Sequence, residues 1–498
     1  MKDTTNHTIK EQYISIEQYE KLLSENEYLK QQLQELKRMI FGSKSERFIP
    51  TDDTQLSLFD FEDKEVVATE TQEISYLREK PKKEKKIAVR TKIPAHLPRV
   101  EEIIEPENIS KNSKKIGEEI TEILEYNPAK VFVRKIIRPK YVKANNEGIA
   151  IAELPSLPIP KGNAGASMLA YIMVSKFVDH LPYYRQIQIF KRQQLVLSDS
   201  TLNGWFNSTA DLLEPLYDTL EKLVLQSDYI QADESPIGVQ DSHKKGTLHT
   251  GYQWVYRSPI SRLVLFKYHH SREKKAPETI LQEFSGSLQT DGYQAYRNMK
   301  TKGKITLLAC MAHARRYFEK SLSNDKKRAE HVLKLIQQLY EIERKARERK
   351  IDFDTRKRYR ELCAKPILSS LEKWLKDNAL QTLPKSAIGK AISYTLNLWP
   401  KLKEYINDGK YEIDNNLIEN AIRPLALGRK NYLFAGSHKA AQRAAMMYSF
   451  FATCKINQIE PLAWLTDVLN RITEHKANKL FELLPQNYKH NNLINKQK

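Results

Sequence analysis

Cysteine is nearly absent from this chain of 498 residues: Cys310, Cys363 and Cys454 stand far apart. Three thiols cannot build a disulfide framework or a four-cysteine zinc centre, and such sparse usage suits a reducing compartment. Long apolar runs are missing too. Met168 to Val174, among the longest, falls far short of the roughly 20 residues a bilayer-spanning helix needs. The opening MKDTTNHTIKEQY is polar and has no apolar signal core. A cytoplasmic protein without a membrane partner is expected. Acidic residues are the last shortage: 62 Asp and Glu face 81 Lys and Arg, a formal net charge of +19. Such an excess points to an acidic polymer, because phosphate contacts release counterions and dominate non-specific affinity. Membrane surfaces and general solubility are the rival explanations, and nucleic acid is favoured.

An apolar fraction of 40% suffices for packed cores, and the length calls for two to four domains. Near the N-terminus, Tyr19, Leu22, Asn26, Leu29, Leu33, Leu36 and Ile40 recur at alternating helical spacings, a seam of about three heptads. Residues 16–42 therefore read as a leucine-zipper-like coiled coil that makes the chain a dimer or higher, with Asn26 setting the register. An amphipathic helix folded onto its own chain gives the same pattern. Residues 43–95 read as a charged linker. Within it, Gln55-Leu56-Ser57-Leu58-Phe59 resembles the short peptide that bacterial proteins insert into the replication sliding clamp, and a sticky linker segment fits as well. Arg78 to Lys92 holds eight basic residues against Glu79 and Glu84. Lys82, Lys83, Lys85 and Lys86 are thus candidates for a phosphate-tracking arm, the alternative being a solvated tail.

Residues 96–160 read as a small β-rich module, with Lys130 to Val142 as its clearest strand pair or long strand. Residues 161–225 are helical: Leu169, Ile172, Met173 and Phe177 share a helix face, and a second helix follows Pro182. A turn at Ser198, Asp199 or Ser200, then a helix with Leu202 and Trp205, suits a DNA-binding helix-turn-helix or an ordinary helical hairpin. From 226 to 323 the texture turns to strands: Asp228 to Ala232, Tyr252 to Arg257 and Arg262 to Tyr268. A helix (Ala276 to Phe284), the strands Ser287 to Thr290 and Ile305 to Ala309, and a helix (Met311 to Ser321) follow. That order is the one expected of an RNase H-like α/β core. Residues 324–408 form an all-helical insertion, with Val332, Leu335, Ile336, Leu339 and Ile342 on one face. Residues 409–457 complete the core, and 458–498 are a helical tail.

The chemistry concentrates in acidic residues at element ends. Asp233 and Asp291 each follow an apolar strand, and Glu419 lies on a helix after Asn415-Asn416. Phosphoryl transfer on DNA needs charge neutralisation at the attacking and leaving oxygens, which two divalent cations about 4 Å apart supply. Carboxylates are the ligands that hard cations prefer. Acidic residues end strands in many proteins, so spacing alone leaves the trio unspecific. Arg423, Arg429 and Lys430 cluster around Glu419 and are candidates to clamp DNA phosphates, with Gly428 and Gly436 expected to break the helix there. His313 follows Cys310 in a Cys-x-x-His pair. Two ligands do not make a zinc site, and His313 is equally compatible with a phosphate contact or with packing. Trp399 either stacks on an unpaired base or fills a core.

The surrounding words are more specific: Asp233-Glu234-Ser235-Pro236, Gln289-Thr290-Asp291-Gly292-Tyr293 and Ala312-His313-Ala314-Arg315-Arg316. The longest runs from Ile413-Asp414-Asn415-Asn416-Leu417-Ile418-Glu419-Asn420 through Arg423-Pro424-Leu425-Ala426-Leu427-Gly428-Arg429-Lys430-Asn431 to Leu433-Phe434-Ala435-Gly436-Ser437. With Leu181-Pro182-Tyr183-Tyr184-Arg185, they make the chain resemble the insertion-sequence-66 family of bacterial transposases from about Ile16 to Tyr488. The resemblance implies an RNase H-like core of the DDE type, with Asp233, Asp291 and Glu419 catalytic and binding two magnesium or manganese ions. It implies double-stranded DNA, as transposon ends and target, for partner, with small accessory proteins of the same element. The protein would then be nucleoid-associated. Arg315 and Arg316 join the DNA-binding candidates, and His313, Asn415 and Asn416 the active-site auxiliaries. Family members usually carry a cysteine-rich zinc module where residues 96–160 have no cysteine, so no structural zinc is expected here. A nuclease or integrase of the same fold, or an inactive DNA-binding regulator, are the alternative functions.

Overall fold

A computed structural model of the chain describes residues 93–488, apart from 96, 107–113, 128–129, 144–147, 242–246, 297–298 and 300–302. The heptad segment 16–42, the clamp-like Gln55–Phe59 and the lysines at 82, 83, 85 and 86 lie outside the described residues. The fold is mixed α/β, with two sheets and, among the described residues, eleven α-helices.

The first sheet comprises β1 (Arg99–Ile103), β2 (Lys114–Asn127), β3 (Lys130–Val142) and β4 (Ile149–Ile151). β2 and β3 pair antiparallel, β1 runs parallel to β3, and β4 pairs with the far end of β3. Its small core is Ile123, Ile136 and Leu157. Ion pairs tie the strands together: Arg138 of β3 with Glu119 of β2, Lys135 of β3 with Glu101 of β1, and Arg99 of β1 with Glu122 of β2. Each contributes roughly 0.2–1 kcal/mol in such settings.

Three helices follow: α1 (Ala166–Phe177), α2 (Tyr183–Arg192) and α3 (Asp199–Leu225). Ser198 starts α3 by accepting a hydrogen bond from the Thr201 amide at 3.1 Å. Such a cap satisfies one of the orphan amides of the first turn. Leu202, Trp205, Thr209, Leu213, Leu216, Leu220 and Val224 then form the buried stripe of α3, recurring at the three- and four-residue steps of one helix face.

The second sheet has the order β7 (Leu263–His269), β6 (Leu248–Ser258), β5 (Tyr229–Gln240), β8 (Gly286–Thr290) and β9 (Ile305–Ala309). β5, β6 and β7 form an antiparallel meander, while β8 and β9 run parallel to β5. The helix α4 (Lys275–Ile280) connects β7 to β8. β5 is longer than the apolar run up to Ala232 foretells, because it continues through Asp233 and Pro236. A proline inside a sheet removes a ladder hydrogen bond. Here β8 covers only Tyr229–Gln231, and the short β10 (Phe434–Ala435) only Gly238–Val239. Between them the β8 side of β5 carries no ladder among the described residues, so Pro236 interrupts nothing there.

Beyond β9 come α5 (Met311–Lys320), α6 (Lys326–Glu348), α7 (Phe353–Ala379) and α8 (Ala387–Lys403), then α9 (Asn416–Tyr432), α10 (His438–Asn457) and α11 (Pro461–Arg471). The helices α5 to α8 share a core that includes Val332, Ile336, Leu339, Leu371 and Leu398. An ion cluster sits inside it. Arg360 donates to Glu343 Oε1 at 2.7 Å and to the carbonyls of Tyr405, Asp408 and Tyr411. The chain leaving the helical layer is thereby pinned just before the passage that leads to Glu419.

Gly428 does not break α9, which runs through it to Tyr432. A Cβ at that position would stand 2.5 Å from the Tyr448 hydroxyl of α10. The glycine is there for close packing. The helix ends at Leu433, which adopts a left-handed φ of 64°, and Gly436 follows outside it.

Candidate catalytic site

The opening in the β5 ladder is where the candidate residues gather. Side chains fill it in place of a strand: Asn415 Nδ2 donates to the Ala232 carbonyl at 3.1 Å, and Arg429 donates to Ser235 Oγ at 3.0 Å and to the Pro236 carbonyl. Asp233 sits inside that gap. Strand alternation sends its neighbour Glu234 to the opposite face. There Arg272 binds Glu234 with Nε at 2.9 Å and Nη2 at 2.7 Å and lies 4.3 Å over the Tyr293 ring.

Asp291 is the first residue after β8. Its Oδ1 accepts from the Tyr293 amide at 2.7 Å, and its carbonyl accepts from the Tyr394 hydroxyl of α8 at 2.7 Å. Gly292 next to it has a φ of 95°, and a Cβ there would lie 2.7 Å from Leu398 of the same helix. Both the left-handed backbone and the close approach require glycine. Through these contacts the helical layer holds the Asp291 turn.

Glu419 lies in the first turn of α9, and its side chain is 11% exposed. Arg316 Nη2 donates to both of its oxygens, at 3.0 and 2.8 Å, and His313 Nε2 stands 3.9 Å from Oε1. The start of α9 is set by the loop before it. Cys310 Sγ accepts from the Asn415 amide at 3.1 Å, and Asp414 accepts from the Asn416 amide at 3.1 Å. Gln231 donates to the Asp414 carbonyl at 3.0 Å, tying that loop to β5.

Like-charge repulsion couples the trio. Burial, then the carboxylates of Glu234, Asp291 and Glu419, push the Asp233 acid well above the ordinary carboxylate range. Burial and the Asp291 charge push Glu234 up to about 7, with Arg272 acting against them. Like charges gathered in a low-dielectric pocket favour the protonated form or a bound cation. The donor chemistry, carboxylate oxygens from two strands and a covering helix, fits a hard divalent ion. Among the described residues, though, no three Asp, Glu, His or Cys side chains stand close enough to hold a metal ion. In this arrangement Glu419 faces Arg316.

The remaining candidates divide. His313 and Arg316 come to Glu419, with Arg316 Nη1 3.3 Å from His313 Nε2. Asn415 is fully buried and braces β5, whereas Asn416 Nδ2 donates to Asp414 at 2.9 Å. Arg315 turns along its own helix to Glu319 at 2.7 Å. Arg429 is a clamp on β5 rather than a surface cation, and burial lowers its pKa. Only Arg423 and Lys430 of the group around Glu419 are exposed. Trp399 is 3% exposed in the helical core, so its ring is not presented to a base. Cys310 is buried, and its Sγ accepts from the Asn415 amide. Residue patterns alone missed Arg272 and Tyr394. Arg272 lies in a plain polar loop and Tyr394 on an ordinary helix, so only the packing reveals them.

The fold is mixed α/β, and the family models that match the chain are those of transposases. The chain belongs to the Transposase IS66 family, whose model matches residues 161–443. A second model, described as Transposase C of IS166 homeodomain, matches residues 28–101, and the IS66 C-terminal element matches 449–486. Similar proteins include the uncharacterized protein y4jD of Sinorhizobium fredii, 33% identical over 91% of this chain and 93% of its own length. From the same organism, the uncharacterized protein y4hP is 30% identical over 93% of this chain and 88% of its own. No helix among the described residues is long and apolar enough to cross a membrane.

Proposed function

We propose that this chain is a DDE-type DNA transposase, which binds transposon ends, nicks them by water attack and joins the freed 3′-hydroxyl to target DNA. The observation that carries this reading is the family match over residues 161–443, which includes Asp233, Asp291 and Glu419, and the charges of Asp291 and Glu419 acting on Asp233 support it. The strand order β7-β6-β5-β8-β9, a meander followed by parallel strands, supports an RNase H-like core formed by residues 226–323 and 409–457. The helices of 324–408 would be its insertion, 161–225 a helical DNA-binding region and 458–498 a tail. Residues 16–42 would pair protomers, bringing two ends together.

Asp233, Asp291 and Glu419 would hold two magnesium or manganese ions, which supply charge neutralisation at the attacking and leaving oxygens. The chain's own residues do the rest. Asn415 and Gln231 fix the α9 loop against β5, Tyr394 fixes the Asp291 turn, and Arg316 holds Glu419 until it is needed. Arg423 and Lys430 offer charge to DNA phosphates at the exposed edge of α9. A cytoplasmic, nucleoid-associated setting goes with this role.

The test is single-turnover nicking of a labelled transposon-end duplex with magnesium or manganese. Asp233→Ala, Asp291→Ala and Glu419→Ala should each lower the rate by about a thousandfold or more while leaving duplex affinity within a few-fold. Full cleavage by Glu419→Ala would remove the third ligand, and full cleavage by all three variants would remove the mechanism.

A further inference from the structure

The pair α2 and α3 looks like a helix-turn-helix, whose second helix would ordinarily enter the DNA. The charges say otherwise. The outward face of α3 carries the exposed Glu214 and Asp218, beside Asp211, which is paired to Arg443 at 2.6 Å. Near its start, Asn203 Nδ2 is spent on the Asp199 carbonyl and Ser200 Oγ on Ser198. An acidic face repels phosphate.

The first helix is the opposite. Tyr184, Arg185, Lys191 and Arg192 are exposed on α2, and its sequence contains no acid. They recur at spacings that put them on one side of a helix. This side abuts α9: Arg185 Nη1 donates to Asn431 Oδ1 at 3.1 Å. Along α9 the exposed positions are Leu417, Asn420, Arg423, Leu427 and Lys430, again one stripe. The sole acid in α9 is the buried Glu419. From Glu419 to Asn431 the stripe spans about 18 Å at about 1.5 Å per residue, and α2 extends it. That is room for at least about five base pairs of duplex. Tyr184, 56% exposed, adds a half-apolar platform of the kind that packs on sugar or base.

We propose that α2, not α3, is the DNA-contacting helix of the pair, and that Arg185, Lys191 and Arg192 continue the α9 stripe into one track for the duplex backbone leading to Glu419. The proposal rests on the transposase reading and adds to it the route by which DNA reaches the site. Arg185 is the joint, bound to Asn431 on one side and 5.6 Å over the Tyr184 ring on the other.

The experiment is fluorescence anisotropy of a fluorescein-labelled 40-base-pair duplex (about 136 Å of B-form DNA) with the full-length protein, at several salt concentrations. Lys191→Ala/Arg192→Ala should weaken binding about tenfold at moderate salt and flatten the plot of log affinity against log salt by about 1.8, two phosphate contacts' worth. The charge-keeping Lys191→Arg/Arg192→Lys should retain the slope, and all variants should keep the wild-type circular dichroism melt. On α3, Ser200→Ala/Asn203→Ala should leave the affinity within about twofold of wild type, since neutral side chains add nothing to the salt slope. An unchanged slope in the Lys191/Arg192 double variant, or a loss confined to the α3 variant, overturns the proposal while leaving the transposase reading intact. A wild-type protein without salt-dependent duplex binding overturns both.

Discussion

Two buried carboxylates of this molecule sit in opposite electrostatic worlds. Glu343, in the helical layer, is fully buried, and burial alone would raise its pKa. The guanidiniums of Arg360 and Arg356, bonded to it at 2.6 to 3.0 Å, outweigh that and hold it below the ordinary range. Asp233, in the opened ladder of β5, has carboxylates for neighbours, and its acid is pushed up. The first is a satisfied structural device. The second is a like-charge cluster that stability alone would not retain, and such clusters collect where a cation or a proton must be handled. The comparison teaches how to tell an acid that holds the fold from one proposed to handle a cation.

The largest expected effect falls on the satisfied side. Glu343→Ala leaves Arg360 and much of Arg356 buried without a countercharge, which should cost about 3–5 kcal/mol. Urea denaturation would show it as a lower midpoint, and Glu343→Met combined with Arg360→Met should recover most of the loss. A single variant within 1 kcal/mol of wild type (roughly the yield of a surface pair) would break the contrast.

A third buried charge falls between the two. Lys176 Nζ lies 3.6 Å over the Tyr183 ring, and burial lowers its pKa to about 8. The unfolded chain therefore binds the extra proton between about pH 8 and 10.5. Its cost to folding is fully present below pH 8 and fades as the pH rises through that window. Lys176→Met should raise stability at pH 7 by about 1–2 kcal/mol, less than the full shift implies because the cation–π contact is lost as well. The gain should vanish near pH 10.5 in thermal melts. A pH-independent difference would mean that the charge is not what matters there.

The smallest effect sharpens the working side. Arg316 occupies both oxygens of Glu419. Arg316→Ala should tighten manganese binding, measured by calorimetry without DNA, by up to roughly fivefold, the equivalent of about 1 kcal/mol for a partly exposed pair. Weaker binding would recast Arg316 as a support for Glu419 rather than a placeholder for the cation.

Local order was written plainly in the residues. The strand Lys130–Val142 and the strand Ile305–Ala309 have the bounds that their branched and aromatic residues suggest, and α3 starts at the capping serine. Asp291 at a strand end and Glu419 in a first helical turn were likewise readable, since both depend on short-range pattern. Elements whose limits depend on neighbours were not. β5 outruns its apolar segment because β6 pairs with it through Pro236, and α9 outruns Gly428 because the Tyr448 hydroxyl fills the space a side chain would take.

The chain's composition and short motifs by themselves determined a basic α/β protein of transposase type, with Asp291 after a strand, Glu419 in a first helical turn and its helical layer in one block. Periodicity, capping and charge act over a few residues, so a linear reading can follow them. Only the tertiary structure decided which arginines face outward. Arg429 braces β5, Arg315 pairs along its own helix, Arg316 closes on Glu419, and Arg423 is left to solvent. A guanidinium's partner is set by what packs within reach of a long side chain, and for Arg316 that partner lies 103 residues away.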